Sequence, residues 1–138
     1  MKKTLTLLIC LICYQILCHA QVADEHYYFK NLSVQNGLSQ NTVNTILQDK
    51  QGFMWFGTKD GLNRYDGLSF RKFKHDDRSQ RSIGNNFITA LYEDEKGSIW
   101  VGTDVGLYIY YPEKDSFEHF TKQSVENTRI EHTVTAIS

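Results

Sequence analysis

Two stretches of this chain, running from Asn41 and from Asn86, are written in one pattern, so the chain must bury its apolar surface by stacking one copy on another. Residues Asn41 to Tyr65 align without a gap with Asn86 to Tyr110. The identical positions are Asn41/Asn86, Asp49/Asp94, Gly52/Gly97, Trp55/Trp100, Gly57/Gly102, Thr58/Thr103, Gly61/Gly106, Leu62/Leu107 and Tyr65/Tyr110. A third copy opens at Thr133 to Ile137, where Val134 and Ile137 fall in step with Val43 and Ile46, and with Ile88 and Leu91.

Each copy resolves into four short apolar runs separated by turn residues, the spacing of a four-stranded antiparallel sheet, and none has helical periodicity. The first run, Val43 to Leu47 or Ile88 to Tyr92, ends in an Asp-x-x-Gly turn, Asp49 to Gly52 or Asp94 to Gly97. There Asp can accept from the backbone ahead and Gly can take a positive φ. The second run, Phe53-Met-Trp-Phe56 in the first copy, is apolar at successive positions and calls for burial on both faces, as when sheets stack. Gly57 and Gly102 follow it, where a neighbouring group comes too close for a Cβ. Turns at Thr58 to Gly61 and Thr103 to Gly106 lead into a third strand. The fourth has the form Phe-x-x-Phe, in Phe70 to Phe73 and Phe117 to Phe120, with a polar middle that suits an outer edge.

These features predict an all-β chain of β-propeller blades, each of four antiparallel strands. Phe29-Lys-Asn-Leu32 has the fourth-strand form without a blade of its own and is expected to be an orphan outer strand, within a lead-in over 21–40, that completes a blade made elsewhere. Blades are expected at 41–74 and 86–121, with the first strand of a third at 132–138. Propellers need about four blades or more, so the chain is expected to be an incomplete ring, as a fragment or a truncated product with no activity of its own.

The first twenty residues differ from the rest. Lys2 and Lys3 precede an apolar run from Thr4 to Leu17, and Cys18-His-Ala20 ends in a small residue, the pattern of a signal peptide cleaved after Ala20. Lipidation at Cys18 is disfavoured by the large Leu17 before it. Cys10, Cys13 and Cys18 all fall in this segment, so the exported part has no thiol chemistry and no disulfide. Any membrane attachment is expected to come from a helix beyond this sequence. The formal charge of -1 gives no electrostatic reason to expect nucleic acid as a partner.

The pattern Asn-x-Val/Ile-x-x-Ile/Leu-x-x-Asp-x-x-Gly-x-Met/Ile-Trp-x-Gly-Thr-x-x-Gly-Leu, preceded in the first copy by Gly37-Leu38-Ser39, resembles the two-component regulator propeller repeat. WD-type repeats would show Gly-His and Trp-Asp pairs, and kelch repeats a Gly-Gly pair; neither occurs. The resemblance implies the periplasmic sensor part of a Bacteroides-type hybrid two-component system, recognising extracellular oligosaccharides and signalling to a histidine kinase outside this chain. It implies no cofactor. Arg64 becomes Ile109 in the second copy, and the turn before the fourth strand is longer there, so the two blades are not interchangeable.

Catalysis finds little footing. His26, His75, His119 and His132 lack metal-site spacing, and the acidic pairs Asp76-Asp77 and Asp94-Glu95 fall in turns or loops. Trp55 and Trp100 could stack on a sugar, but recurring at one repeat position within an apolar run they read as core between blades. With Asp49, Asp94, Gly52, Gly97, Gly57, Gly102, Gly61 and Gly106 they are the repeat's structural residues. The candidates for ligand contact are loop residues expected at one end of the blades: Lys59, Asp60, Asp104, Asn41 and Asn86. The alternative function is a secreted propeller enzyme of the streptogramin-lyase type, which would need a polar cluster at the channel mouth.

Overall fold

A computed structural model describes residues 27–120 together with Ala136. The signal-type segment 1–20 and, apart from Ala136, the third copy lie outside the described residues. The chain divides into two units, Met1–Lys30 and Asn31–Ser138. Of the first, Tyr27 to Lys30 are described, and they are exposed and without regular structure. Among its described residues the second holds eight strands and one 3₁₀ turn, Val34–Asn36.

The strands are β1 (Val43–Gln48), β2 (Met54–Thr58), β3 (Gly61–Tyr65), β4 (Phe70–Phe73), β5 (Ile88–Glu93), β6 (Ile99–Thr103), β7 (Gly106–Tyr111) and β8 (Ser116–His119). They form two antiparallel meanders, β1-β2-β3-β4 and β5-β6-β7-β8. Corresponding residues hold corresponding places: Trp55 sits between Leu47 and Arg64, as Trp100 does between Tyr92 and Ile109. The register slips at Val43/Thr45 and again at Ile88/Ala90. The slip leaves Asn44 unpaired in the ladder, and its Nδ2 donates to the Ile88 carbonyl of the second sheet at 2.8 Å.

The segment Phe29 to Leu32, expected to complete a blade made elsewhere, has no regular structure of its own. Phe29 is 98% exposed, and the segment carries no ladder hydrogen bonds. A strand exists only by pairing, and the blade this segment is expected to complete is not among the described residues. The loop from Ser33 to Ser39 is ordered by its own polar groups. The Asn36 Oδ1 accepts from the Ser33 N–H at 3.0 Å, Gly37 turns at φ 107, and the loop then lays Leu38, 1% exposed, onto the first sheet. Ser39 fastens it there, its N–H donating to the buried Asn63 Oδ1 at 2.9 Å.

The core lies between the two sheets. Trp55, Leu62 and Phe73 of the first meet Ile88, Ile99, Val101, Tyr110 and Phe117 of the second, with Ile83 of the connecting loop wedged among them. The Trp55 ring stacks on Phe73 at 5.7 Å and tilts onto Tyr110 at 5.5 Å. Arg71 Nη2 lies 2.7 and 2.6 Å from the two carboxylate oxygens of Asp115, which also accepts from the Tyr110 hydroxyl at 2.9 Å. To place its carboxylate there Asp115 takes a left-handed φ of 48, a region Asp tolerates better than most residues. Burial, then the Asp115 hydrogen bond, pushes the Tyr110 phenol up to about 12.

Both Asp-x-x-Gly turns are built alike. The Asp49 Oδ1 accepts from the Gln51 and Phe53 N–H groups at 3.0 and 2.9 Å, while Oδ2 accepts from the Trp55 indole N–H at 2.7 Å. The Asp94 Oδ1 accepts from Lys96 and Ser98, each at 2.9 Å, and Oδ2 from Trp100 at 3.0 Å. One carboxylate thus closes the turn and fixes the indole. The Trp100 indole N–H, then the backbone N–H groups, hold the Asp94 carboxyl below its ordinary value of 3.8. We expect Asp94→Asn, which turns an amide donor toward donors, to lower stability by about 1–2 kcal/mol at neutral pH. Because the folded pKa is depressed, that contribution is present above the ordinary carboxylate value and lost as pH falls through the folded one. Urea unfolding should therefore show the variant and the parent converging below about pH 4.

Candidate functional site

One end of the two sheets is formed by the β2–β3 turn, the segment before each first strand and the loop joining β4 to β5. Thr58 folds the turn back, its hydroxyl donating to the Gly61 carbonyl at 2.8 Å and accepting from the Asp60 N–H at 3.0 Å. Gly61 is left with a φ of 114, which glycine takes without strain, and its N–H reaches across to the Asn86 carbonyl at 2.7 Å. The turn of one sheet is thereby joined to the strand entry of the next.

Lys59 is exposed, and its N–H donates to the Thr42 carbonyl at 3.3 Å. Asp60 pairs with Lys74 at 2.6 Å. The Asn86 side chain accepts from the His75 N–H at 2.8 Å. Lys59, Asp60 and Asn86 are thus brought into one connected polar surface. Asn41 serves its own lead-in loop, its Oδ1 accepting from the Val34 N–H at 2.9 Å. Asp104 lies exposed in the β6–β7 turn, at the place Lys59 holds in the first sheet.

Lys74, which the sequence pattern does not single out, and His75 and Asp77, set aside there as lacking metal-site spacing and as a loop residue, also lie at this end. His75 Nδ1 lies 2.9 Å from the Ile83 carbonyl and Nε2 lies 2.7 Å from Asp77 Oδ1. Both partners are acceptors, so only the doubly protonated imidazolium donates to both. The Ile83 carbonyl, then Asp77, raise the His75 pKa above its ordinary 6.5. The available signal was the His-x-Asp spacing in the linker between repeats. We expect the His75 ring protons to titrate above pH 6.5 by NMR, and the loop's added stability to be full below that value and to fade as pH rises through the raised pKa.

The Asp60–Lys74 pair is about half exposed on both sides, so Lys74→Met should change stability by less than about 1 kcal/mol in thermal unfolding. This leaves the surface free to be altered without unfolding its scaffold. Lys59 is exposed in this turn, next in sequence to Asp60 of the Asp60–Lys74 pair. Among the described residues no three His, Cys, Asp or Glu gather to hold a metal ion, and no helix is long and apolar enough to cross a membrane.

The two component regulator propeller family model matches residues 37–60 and 82–105. Over 60 residues, 44% of this chain, the sequence is 40% identical to Histidine kinase P4 of Formosa agariphila, of which it covers 4%. Its fold is similar to the extracellular domain of the hybrid two component system BT3049 of B. thetaiotaomicron, with a TM-score of 0.63, 37% identity, and coverage of 72% of this chain and 14% of that one. The extracellular domain of the one component system BT4673 of the same organism shares the fold at a TM-score of 0.57 and 23% identity, over 69% of this chain and 14% of that one. The chain therefore spans a small part of each protein it matches. Trp55 and Asp49, and Trp100 and Asp94, lie inside the two matched segments, and each segment runs from the lead-in loop through the second strand into the turn of one sheet. The two sheets are propeller blades, and each contains one of the two segments that match the two component regulator propeller model.

Proposed function

We propose that this chain is the ligand-sensing propeller segment of a two-component regulatory system. It is exported by its N-terminal signal to the periplasmic side of the inner membrane and acts without catalysing a reaction. Its output passes to a histidine kinase portion of the longer protein, and membrane attachment is supplied by a helix outside these residues. The observation that carries this reading is the 37% identity and shared fold with the extracellular domain of a hybrid two-component system.

An oligosaccharide is the ligand class we assign. The polar end of the two blades supports it, because a carbohydrate is recognised by amide, carboxylate and ammonium groups converging on its hydroxyls. Lys59, Asp60 and Asn86 are the contacts proposed, with Asn41 and Asp104 flanking them. The test is calorimetric titration of the extracellular part of the full-length protein with a panel of oligosaccharides, alongside a transcriptional reporter in cells. One saccharide family should bind, and Lys59→Ala with Asn86→Ala should weaken it by about tenfold or more. No binding across the panel removes the ligand assignment. Cleavage of the sugar would favour a secreted propeller enzyme instead.

A further inference from the structure

The contact between the two blades is a template for what covers the next face. On the first blade, the face turned toward the second carries Trp55, Phe73, Arg64 and Arg71, with Arg64 directly opposite both Trp55 and Arg71 in the ladder. Arg64 lies over the Phe53 ring at 4.4 Å, and Arg71 is held by Asp115 from the β7–β8 turn of the second blade. The second blade keeps the aromatic half of this face and reverses the charged half. Trp100 and Phe120 pack at 5.1 Å, much as Trp55 and Phe73 do. Ile109 stands in the place of Arg64 and Glu118 in the place of Arg71. Two cations have become an apolar residue and an anion.

This face is incompletely covered. Tyr92, in the register place of Leu47, is 39% exposed, and Trp100 is half-buried where Trp55 is 1% exposed. Glu118 is exposed, and it pairs with Lys114 of its own turn at 3.3 Å. The sequence beyond Phe120 returns to the first-strand pattern at Thr133 to Ile137.

We infer that the blade of the same repeat that packs on the face bearing Trp100 and Glu118 presents a Lys or Arg where the second blade presents Asp115. The aromatic residues, common to both faces, give adhesion; the charges give order. An exposed ion pair adds little stability, but a carboxylate facing a carboxylate opposes the wrong pairing, and that difference is what selects a partner. Blades cut from one pattern need such a device, because similar repeats misassemble with one another. Arg71 accepts a blade with an acidic turn, and Glu118 rejects it.

The experiment uses the full polypeptide as its gene encodes it. Tyr92 is replaced by the photocross-linker p-benzoylphenylalanine, and the products are mapped by mass spectrometry. A cross-link inside one polypeptide to a later repeat is the expected result. A cross-link to a second copy or to another protein, or none at all, overturns the inference. For the charge, Glu118→Lys should lower the melting temperature by about 2–4 °C more than Glu118→Gln. That gap should shrink when salt rises from about 0.05 M to about 1 M. Equal effects of the two substitutions overturn it. Should Glu118→Lys fail to fold, replacing the facing Lys or Arg by Glu should restore it, and failure to restore it counts against the pairing. Arg71→Glu with Asp115→Arg, at the contact between the first two blades, is the positive control.

Discussion

Replacing Trp55 by alanine should cost about 3–5 kcal/mol of folding free energy, the largest effect expected of a single substitution in this chain. The ring is 1% exposed and touches both blades, stacked on Phe73 and tilted onto Tyr110. Its removal would leave a cavity in the layer that joins the two described sheets, and that layer cannot collapse without moving one sheet on the other. The indole N–H is also the group that the Asp49 carboxylate closes upon, so the turn before β2 loses a partner along with the core. Trp55→Phe should recover part of the loss by refilling the cavity while leaving Asp49 short of a donor. Trp100→Ala removes the same side chain from the same repeat position, but from a half-buried face, and should cost about 1–2 kcal/mol in the present chain. Urea unfolding followed by far-ultraviolet circular dichroism separates the two. Similar losses for both tryptophans would mean that Trp55 is not a shared core residue of two blades.

The unequal burial of two identical residues also marks what can be read from a repeat. Alternating apolar runs, Asp-x-x-Gly turns and a recurring Trp depend on neighbours within one copy, so they are visible in the sequence, and all eight strands lie within a residue or two of where the pattern puts them. The pairing of Arg71 with Asp115 joins residues of different copies, and no periodicity within one copy announces it. The same holds for His75, which pairs with Asp77 in the linker between the matched segments and with Ile83 just inside the second of them. Phe29 to Leu32 shows the opposite limit. Its fourth-strand form is plain in the sequence, yet a strand needs an edge to pair with, and the blade expected to supply one is not among the described residues. At the polar end, the Lys74 side chain ties Asp60 and the His75 backbone N–H ties Asn86 to the linker, and both groups come from outside the pattern.

Gly57→Ala is expected to destabilise the chain by about 1–3 kcal/mol, and the loss should fall on the contact between blades rather than on the first blade itself. A Cβ at this position would stand 2.6 Å from Ile88 Cγ2 and 2.6 Å from Thr45 Cγ2, with Ile88 Cβ at 3.1 Å. Neither neighbour can swing aside cheaply. Both are β-branched with stiff χ1 angles, and Ile88 is 0% exposed in the core between the sheets. The backbone at Gly57 needs no unusual φ, so the requirement for glycine is one of space alone. Moving β5 away from β2 would relieve the contact with Ile88 and open the layer that Trp55 fills, while the contact with Thr45 lies within the first blade. A double-mutant cycle with Ile88→Ala, which removes Cγ2 and makes room for the new methyl group, separates the two contacts. The two substitutions together should cost less than the sum of their separate costs by about 1 kcal/mol or more. Simple additivity would place the clash inside the first blade, against Thr45, and would detach Gly57 from the spacing of the two sheets. A favourable coupling would instead show that a missing Cβ sets how closely one blade approaches the next.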